Sequence, residues 1–280
     1  MQDYRIRPFT AAQATQWVAS GWRMWRRRPL AITGPVAVFV LFAMLLRLIP
    51  VIGDVVLLLL LPSVLASCLI EIHILAQTAG RRPGRRKVTF AERLTDLQRV
   101  LFGAWKKPEN IFPLALIGFV LVVIGLIGYA LLAAVGGQAV VSPYGFFEFT
   151  PLQMGQFLLA YGLAALLWLG VAAVLLWTMP LFAIHDLALV AALALGWRGL
   201  RHNGAAAAVL LAGLAIVLLP AAMLKLWSPF AGGVALWLCA TLATVLMLFS
   251  AYCSFRLVFA PASAPRPVPS ASPQPVARRL

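Results

Sequence analysis

Four ionisable side chains stand out because they lie at the ends of long apolar runs. Glu71 and His73 close one run, and His185 and Asp186 close another. A carboxylate beside an imidazole is the pairing that general acid–base chemistry and proton relays use. Two carboxylates with two histidines also form a metal-ligand set. Ionisable groups are costly inside a bilayer and are rarely kept there without a role. The competing reading puts all four at the membrane surface, hydrated or paired with Arg81, Arg82 or Arg198, with Asp186 capping the helix that follows. It is preferred, because ion pairs reproduce the electrostatics of functional sites. No HExxH, GxSxG or P-loop pattern accompanies these residues. No catalytic residue, metal ligand or cofactor is therefore assigned.

The remaining reactive types are quieter. Cys68, Cys239 and Cys253 fall inside apolar runs, without a CxxC neighbour or a histidine at metal spacing. They read as small buried apolar residues. Arg47 and Asp54 flank a turn and are expected to pair across it.

The elements that must position these groups are membrane helices. The chain has 280 residues, 62% hydrophobic and 11% charged, where a soluble domain carries roughly 25% charged residues. Its apolar residues come in runs of the roughly 20 residues that a helix needs to cross the hydrocarbon core. Six spans are expected, near 30–49, 55–77, 111–135, 157–180, 204–224 and 230–255. The fold class is thus an all-α integral membrane protein. Pro50 and Gly53 are read as the stop and the turn between the first two spans, and Trp227-Ser228-Pro229 as the break between the last two. Residues 1–28 form an N-terminal interfacial helix, 29–260 the six-helix domain with a basic loop at 78–110, and 261–280 a Pro- and Ser-rich disordered tail. The first apolar run starts too late, and lacks the small-residue site, for a cleaved signal.

Charge orients the spans. Of 23 Lys and Arg residues, all but Arg47 and Lys225 fall on one side of the six spans. This skew places that side, with both termini, in the cytoplasm of a bacterial inner membrane. The net charge of +15 then faces anionic phospholipid headgroups rather than nucleic acid. Arg26, Arg27, Arg28, Arg81, Arg82, Arg85, Arg86, Lys87, Lys106 and Lys107 are the expected headgroup contacts. The loop Gly136–Gln156 holds no Lys or Arg, and its aromatic residues belong at the opposite headgroup level.

A threefold repeat runs through the chain. Gly21-Trp22, Gly103-Ala104-Trp105 and Gly196-Trp197 each precede basic residues, a helix start and two spans. Trp22, Trp105 and Trp197 are the expected interfacial anchors. Thr89 and Glu92 have capping-box spacing ahead of an amphipathic run to Trp105, and Thr10 and Gln13 have it ahead of Trp17, Trp22 and Trp25. The third counterpart, Asp186–Leu200, is apolar on both faces and is expected to be buried between spans. Each unit therefore reads as an interfacial helix, apolar face down in the headgroup plane, plus a transmembrane hairpin. Small residues at Gly118 and Gly125, and at Gly204, Ala208 and Ala212, permit close helix approach within the chain or self-association.

The Gly-Trp, basic residues, Pro-Leu, apolar run and Ile-Pro-x-x-Gly hairpin resemble an uncharacterised proteobacterial family of multi-pass membrane proteins. More distantly, the repeat resembles the membrane domain attached to some glycerophosphodiester phosphodiesterases. The resemblance covers roughly residues 10–257 and implies topology, with no catalytic residue to carry over. The expected function is a non-enzymatic scaffold or lipid-interacting protein of the inner leaflet. The alternatives are a transporter or flippase of a lipidic or apolar molecule, and an intramembrane enzyme using Glu71, His73, His185 and Asp186.

Overall fold

The structure, a computed structural model, describes residues 4–49, 52–78, 98, 103–136, 140–141, 147–148, 151–227 and 229–261. In chain order the elements are β1 (Tyr4–Ile6), α1 (Ala11–Trp25), α2 (Pro29–Leu46), α3 (Ile52–Thr78), a single 3-10 turn (Gly103–Lys106), α4 (Pro108–Gly136), β2 (Val140–Val141), β3 (Phe147–Glu148), α5 (Pro151–His185), α6 (Leu189–Trp227), α7 (Pro229–Val258) and β4 (Phe259–Pro261). Among the described residues, five helical segments are long and apolar enough to cross a membrane: Pro29–Leu46, Ile52–Thr78, Pro108–Leu131, Gly162–His185 and Ala231–Val258. The chain is a multi-pass helical membrane protein. The expected amphipathic run before Trp105 lies outside the described residues.

The bundle has an inner and an outer ring. Helices α3, α5 and α7 pack on one another about a central axis. Outside them, α2 lies against α7 and α3, α4 against α3 and α5, and α6 against α5 and α7. Close approach is written into α4. A Cβ on Gly118 would come within 2.8 Å of the Leu59 carbonyl oxygen, so only glycine lets the α3 and α4 backbones meet there. Gly125 makes room for Leu58 and Trp168. The other small-residue row behaves differently. Gly204, Ala208 and Ala212 are exposed, and α6 buries Ala206, Ala207, Leu210 and Leu211 instead.

Helix α1 starts where the Gln13 side-chain oxygen accepts the Thr10 backbone N–H at 2.9 Å, which satisfies a donor that the helix start leaves free. Its apolar face does not look into lipid. Ala14, Trp17 and Gly21 are buried, and the helix packs on α7 and α6. Trp17 sits edge-on to Phe9 and Trp177, so protein covers the face assigned to headgroups. The apparent amphipathicity was real, but a neighbour satisfies it.

The turn between α2 and α3 also works differently from its sequence reading. Arg47 and Asp54 do pair, at 3.2 Å and well exposed, which is worth little. Gly53, however, lies in the first turn of α3, and its missing side chain leaves space for the Leu46 carbonyl that ends α2. It serves a close approach rather than a glycine-only backbone angle.

Helix α6 is broken at Asn203, whose backbone is non-helical. Its buried side chain accepts the Phe9 N–H and donates to the carbonyls of Arg7 and Gly199 at 3.2 Å. One amide thus fixes the kink and ties it to the start of the chain. Ahead of the kink, Ala192, Gly196 and Gly199 are buried while Val190, Leu193 and Trp197 are exposed. This stretch is half-covered, not buried on both faces. β1 pairs antiparallel with β4, Tyr4 opposite Pro261 and Ile6 opposite Phe259. The segment assigned to a disordered tail therefore begins with a paired residue. Residues 262–280 lie outside the described residues.

Candidate functional site

The end of the bundle where α3, α5 and α7 finish carries most of the described polar chemistry. Each inner helix brings a basic group there: His73 from α3, His185 from α5 and Arg256 from α7. His73 is held on both sides. Its Nε2 accepts the Gln77 side-chain N–H at 2.8 Å, one helical turn away. Its Nδ1–H then donates to the Tyr252 hydroxyl oxygen at 3.0 Å. The Arg256 guanidinium lies 5.9 Å from the centre of the Tyr252 ring. The His185 ring packs against Phe255, with centroids 5.3 Å apart.

Of the two carboxylates of the sequence-predicted group, Asp186 is engaged by a lysine. Asp186 turns outward with a left-handed backbone, φ 50°. Both its oxygens accept from Lys107 Nζ, at 2.6 and 2.7 Å. Its expected partners were Arg81, Arg82 or Arg198; the observed one is 79 residues away. It does not cap α6, whose first carbonyl acceptor is Ala188, bonded by the Ala192 N–H. Glu71 lies half-buried on α3, near enough to Cys68 for its charge to be felt. Among the described residues, no three His, Cys, Asp or Glu side chains meet in a way that could hold a metal ion. The three cysteines are free thiols, two of them buried and one half-buried.

The expected surface contacts are placed as follows. Arg26, Arg27 and Arg28 are exposed between α1 and α2. Trp22, Trp105 and Trp197 are 40%, 44% and 52% exposed, the least-covered tryptophans described. Lys107 is in the ion pair with Asp186. Arg81, Arg82, Arg85, Arg86, Lys87 and the Lys106 side chain lie outside the described residues.

Above the polar cluster, on the axis, lies a cavity of about 280 Å³. Leu65 and Leu69 of α3, Trp168 and Met179 of α5, and Met247 and Ala251 of α7 are among its lining residues. Thr244 is its only hydroxyl-bearing residue. Its lining is fully buried toward the polar cluster, at Leu69, Met179 and Ala251, and half-buried toward the other end, at Leu61, Trp168 and Thr244. Such a space has nothing to hold a charged solute and suits hydrocarbon.

Sequence reasoning missed Gln77, Tyr252, Arg256 and Asn203. One signal could have found Arg256. The three glycines before the repeated tryptophans lie beside a hydroxyl-bearing residue of an inner helix: Gly21 by Ser250, Gly103 by Ser67 and Gly196 by Thr178. His73 and Arg256 stand six residues past Ser67 and Ser250, and His185 seven past Thr178. Aligning the hairpins on those hydroxyls brings the three basic groups into register.

No family model matches the chain, and neither a curated protein nor a solved structure shows a significant likeness to it.

Proposed function

We propose that the chain is a non-enzymatic protein of the bacterial inner membrane that binds anionic phospholipid headgroups of the inner leaflet and organises lipid there. The observation that carries this reading is the set of exposed tryptophans, Trp22, Trp105 and Trp197, each near exposed cations, among them Arg26–Arg28, Lys107, Arg198 and Arg201. Amphipathic rings settle at the headgroup level, and arginine beside them meets anionic lipid. In this reading six helices cross the membrane as three repeats, both termini face the cytoplasm, and the stretch of α6 after Asn203 is the fifth crossing. The cyclic placing of Gly21, Gly103 and Gly196 on hydroxyl residues of another hairpin supports the repeat.

Each cation near an anionic surface contributes about 1 kcal/mol. Replacing Arg26, Arg27 and Arg28 together by alanine should therefore weaken phosphatidylglycerol binding by roughly a hundredfold. Native mass spectrometry of the full-length protein, titrated with phosphatidylglycerol and phosphatidylcholine, measures this. Equal affinity for the two lipids, or no change in the triple variant, would contradict the proposal.

The central apolar cavity favours a second reading, a transporter or flippase of a lipidic or apolar molecule. An intramembrane enzyme is less well supported, because Asp186 is engaged by Lys107 rather than by either histidine.

A further inference from the structure

We propose that the axial cavity holds one hydrocarbon chain, the acyl tail of a membrane phospholipid, seated tail end first with its headgroup directed away from the His73 end. The proposal goes beyond headgroup binding. It requires neither that reading nor transport, only the membrane fold and the cavity. Three observations carry it.

The first is the lining. The space of about 280 Å³ is walled by leucine, valine, alanine, methionine and tryptophan side chains, and Thr244 brings the one hydroxyl. A water molecule needs roughly two to four polar partners, which this wall does not give. An empty space of this size is costly in a packed interior, where voids larger than a water molecule are few. The medium around membrane-length helices that suits such a wall is the hydrocarbon of the bilayer itself. The second is the size. A dry cavity of roughly 150 Å³ takes one benzene ring, so this one has room for roughly a dozen carbons. Between Trp168 and Met179 its wall runs about 16 Å along α5, at roughly 1.5 Å per residue. One leaflet contributes about 15 Å, half of the hydrocarbon core. A single tail fits both measures. The third is the gradient of cover, which has the same sense on all three inner helices. Leu61, Trp168 and Thr244 are half-buried, and Leu69, Met179 and Ala251 are buried. The space is therefore open toward one end and closed toward the other, as a linear chain ending in a methyl group requires. Met179 and Met247 line it, and unbranched thioether side chains adapt to an occupant of variable shape.

The test reconstitutes the full-length protein in phosphatidylcholine vesicles doped with a photoactivatable phospholipid, and labelled residues are mapped by peptide mass spectrometry. The probe carries a diazirine either at the methyl end of one acyl chain or next to its ester, on a phosphatidylcholine or a phosphatidylglycerol headgroup. The methyl-end probe is expected to label Leu69, Met179 and Ala251, which are buried from surrounding lipid, and to do so equally with both headgroups. The ester-end probe should label Leu61 and Trp168 instead. Ala172→Phe and Ala251→Leu, each checked for an unchanged elution profile, fill the cavity. They should lose the buried label and keep the label on Leu166 and Leu169, which are exposed. Native protein labelled at Leu166 and Leu169 but at none of the three buried residues would overturn the proposal, as would buried label that persists in both filled variants. Buried label from the ester-end probe would overturn the tail-first seating. Buried label with phosphatidylglycerol alone would overturn a site that reads the tail. Equal surface affinity for the two lipids in the mass-spectrometric titration would strike the headgroup reading and leave this one standing.

Discussion

Three buried serines separate groups that matter from groups that merely fit. The Ser67 hydroxyl oxygen accepts the Ala104 N–H at 2.8 Å. The Ser254 hydroxyl oxygen accepts the Trp177 indole N–H at 3.0 Å and donates to the Ala251 carbonyl at 2.8 Å. The Ser250 hydroxyl is buried with no hydrogen-bond partner among the described residues. Removing a partner from a buried donor costs about 1–3 kcal/mol, whereas removing an unpartnered hydroxyl costs little or stabilises. Ser67→Ala and Ser254→Ala are thus expected to lower the melting temperature in detergent, and Ser250→Ala to leave it unchanged or raise it. Equal losses in all three would contradict this assignment. At this scale the sequence was only partly readable. His73 and His185 could be singled out as polar residues in apolar runs. Their partners could not, because Tyr252 lies 179 residues from His73, and Lys107 meets Asp186 only where α4 and α5 bring the two ends of one hairpin together. Local spacing carries no information about such distant pairs.

At the scale of elements, the helices were legible because length and apolar content decide them. Five of the expected spans overlap helical segments of membrane length. What covers each face was not legible. The α1 face carrying Trp17 has the same periodicity whether it meets lipid or protein, and only the fit of Gly21 against Ser250 settles that it meets α7. The small-residue rows gave the same ambiguity: Gly118 is at a backbone crossing, while nothing lies within 4 Å of a side chain added at Gly204. This contrast is testable. A Cβ at Gly21 would meet the Ser250 backbone nitrogen at 2.9 Å, and one at Gly196 the Thr178 hydroxyl at 2.5 Å. Gly21→Leu and Gly196→Leu should each destabilise by about 1–3 kcal/mol through overpacking. Gly204→Leu, made as the control, should cost less than about 1 kcal/mol. Thermal aggregation measured on detergent-solubilised protein ranks the three; a Gly204 variant as damaged as the others would show that the exposed row is packed.

For the whole molecule, charge bears on membrane orientation, and orientation on which lipid the protein meets. The inner ring of α3, α5 and α7, the outer helices between them and the β1–β4 clasp bring Tyr4–Ile6 and Phe259–Pro261 together at the end where the polar cluster lies. A cluster of cations and tryptophans on that end binds anionic lipid of the inner leaflet only if that end faces the cytoplasm. It does so at both termini only if the crossings are even in number. The skew of Lys and Arg is the sequence's argument for that orientation. The packing of neighbouring hairpins was beyond it, because a repeat fixes what each unit is and not which unit it touches. Topology reporters decide the matter most directly. A fluorescent protein that folds only in the cytoplasm and a phosphatase active only outside it would be fused at residues 95 and 145 and after residue 280. Fluorescence at 95 and after 280, with phosphatase activity at 145, is the predicted result. Phosphatase activity at 95, or after 280, would place the basic end outside or make the crossings odd, and would contradict the account.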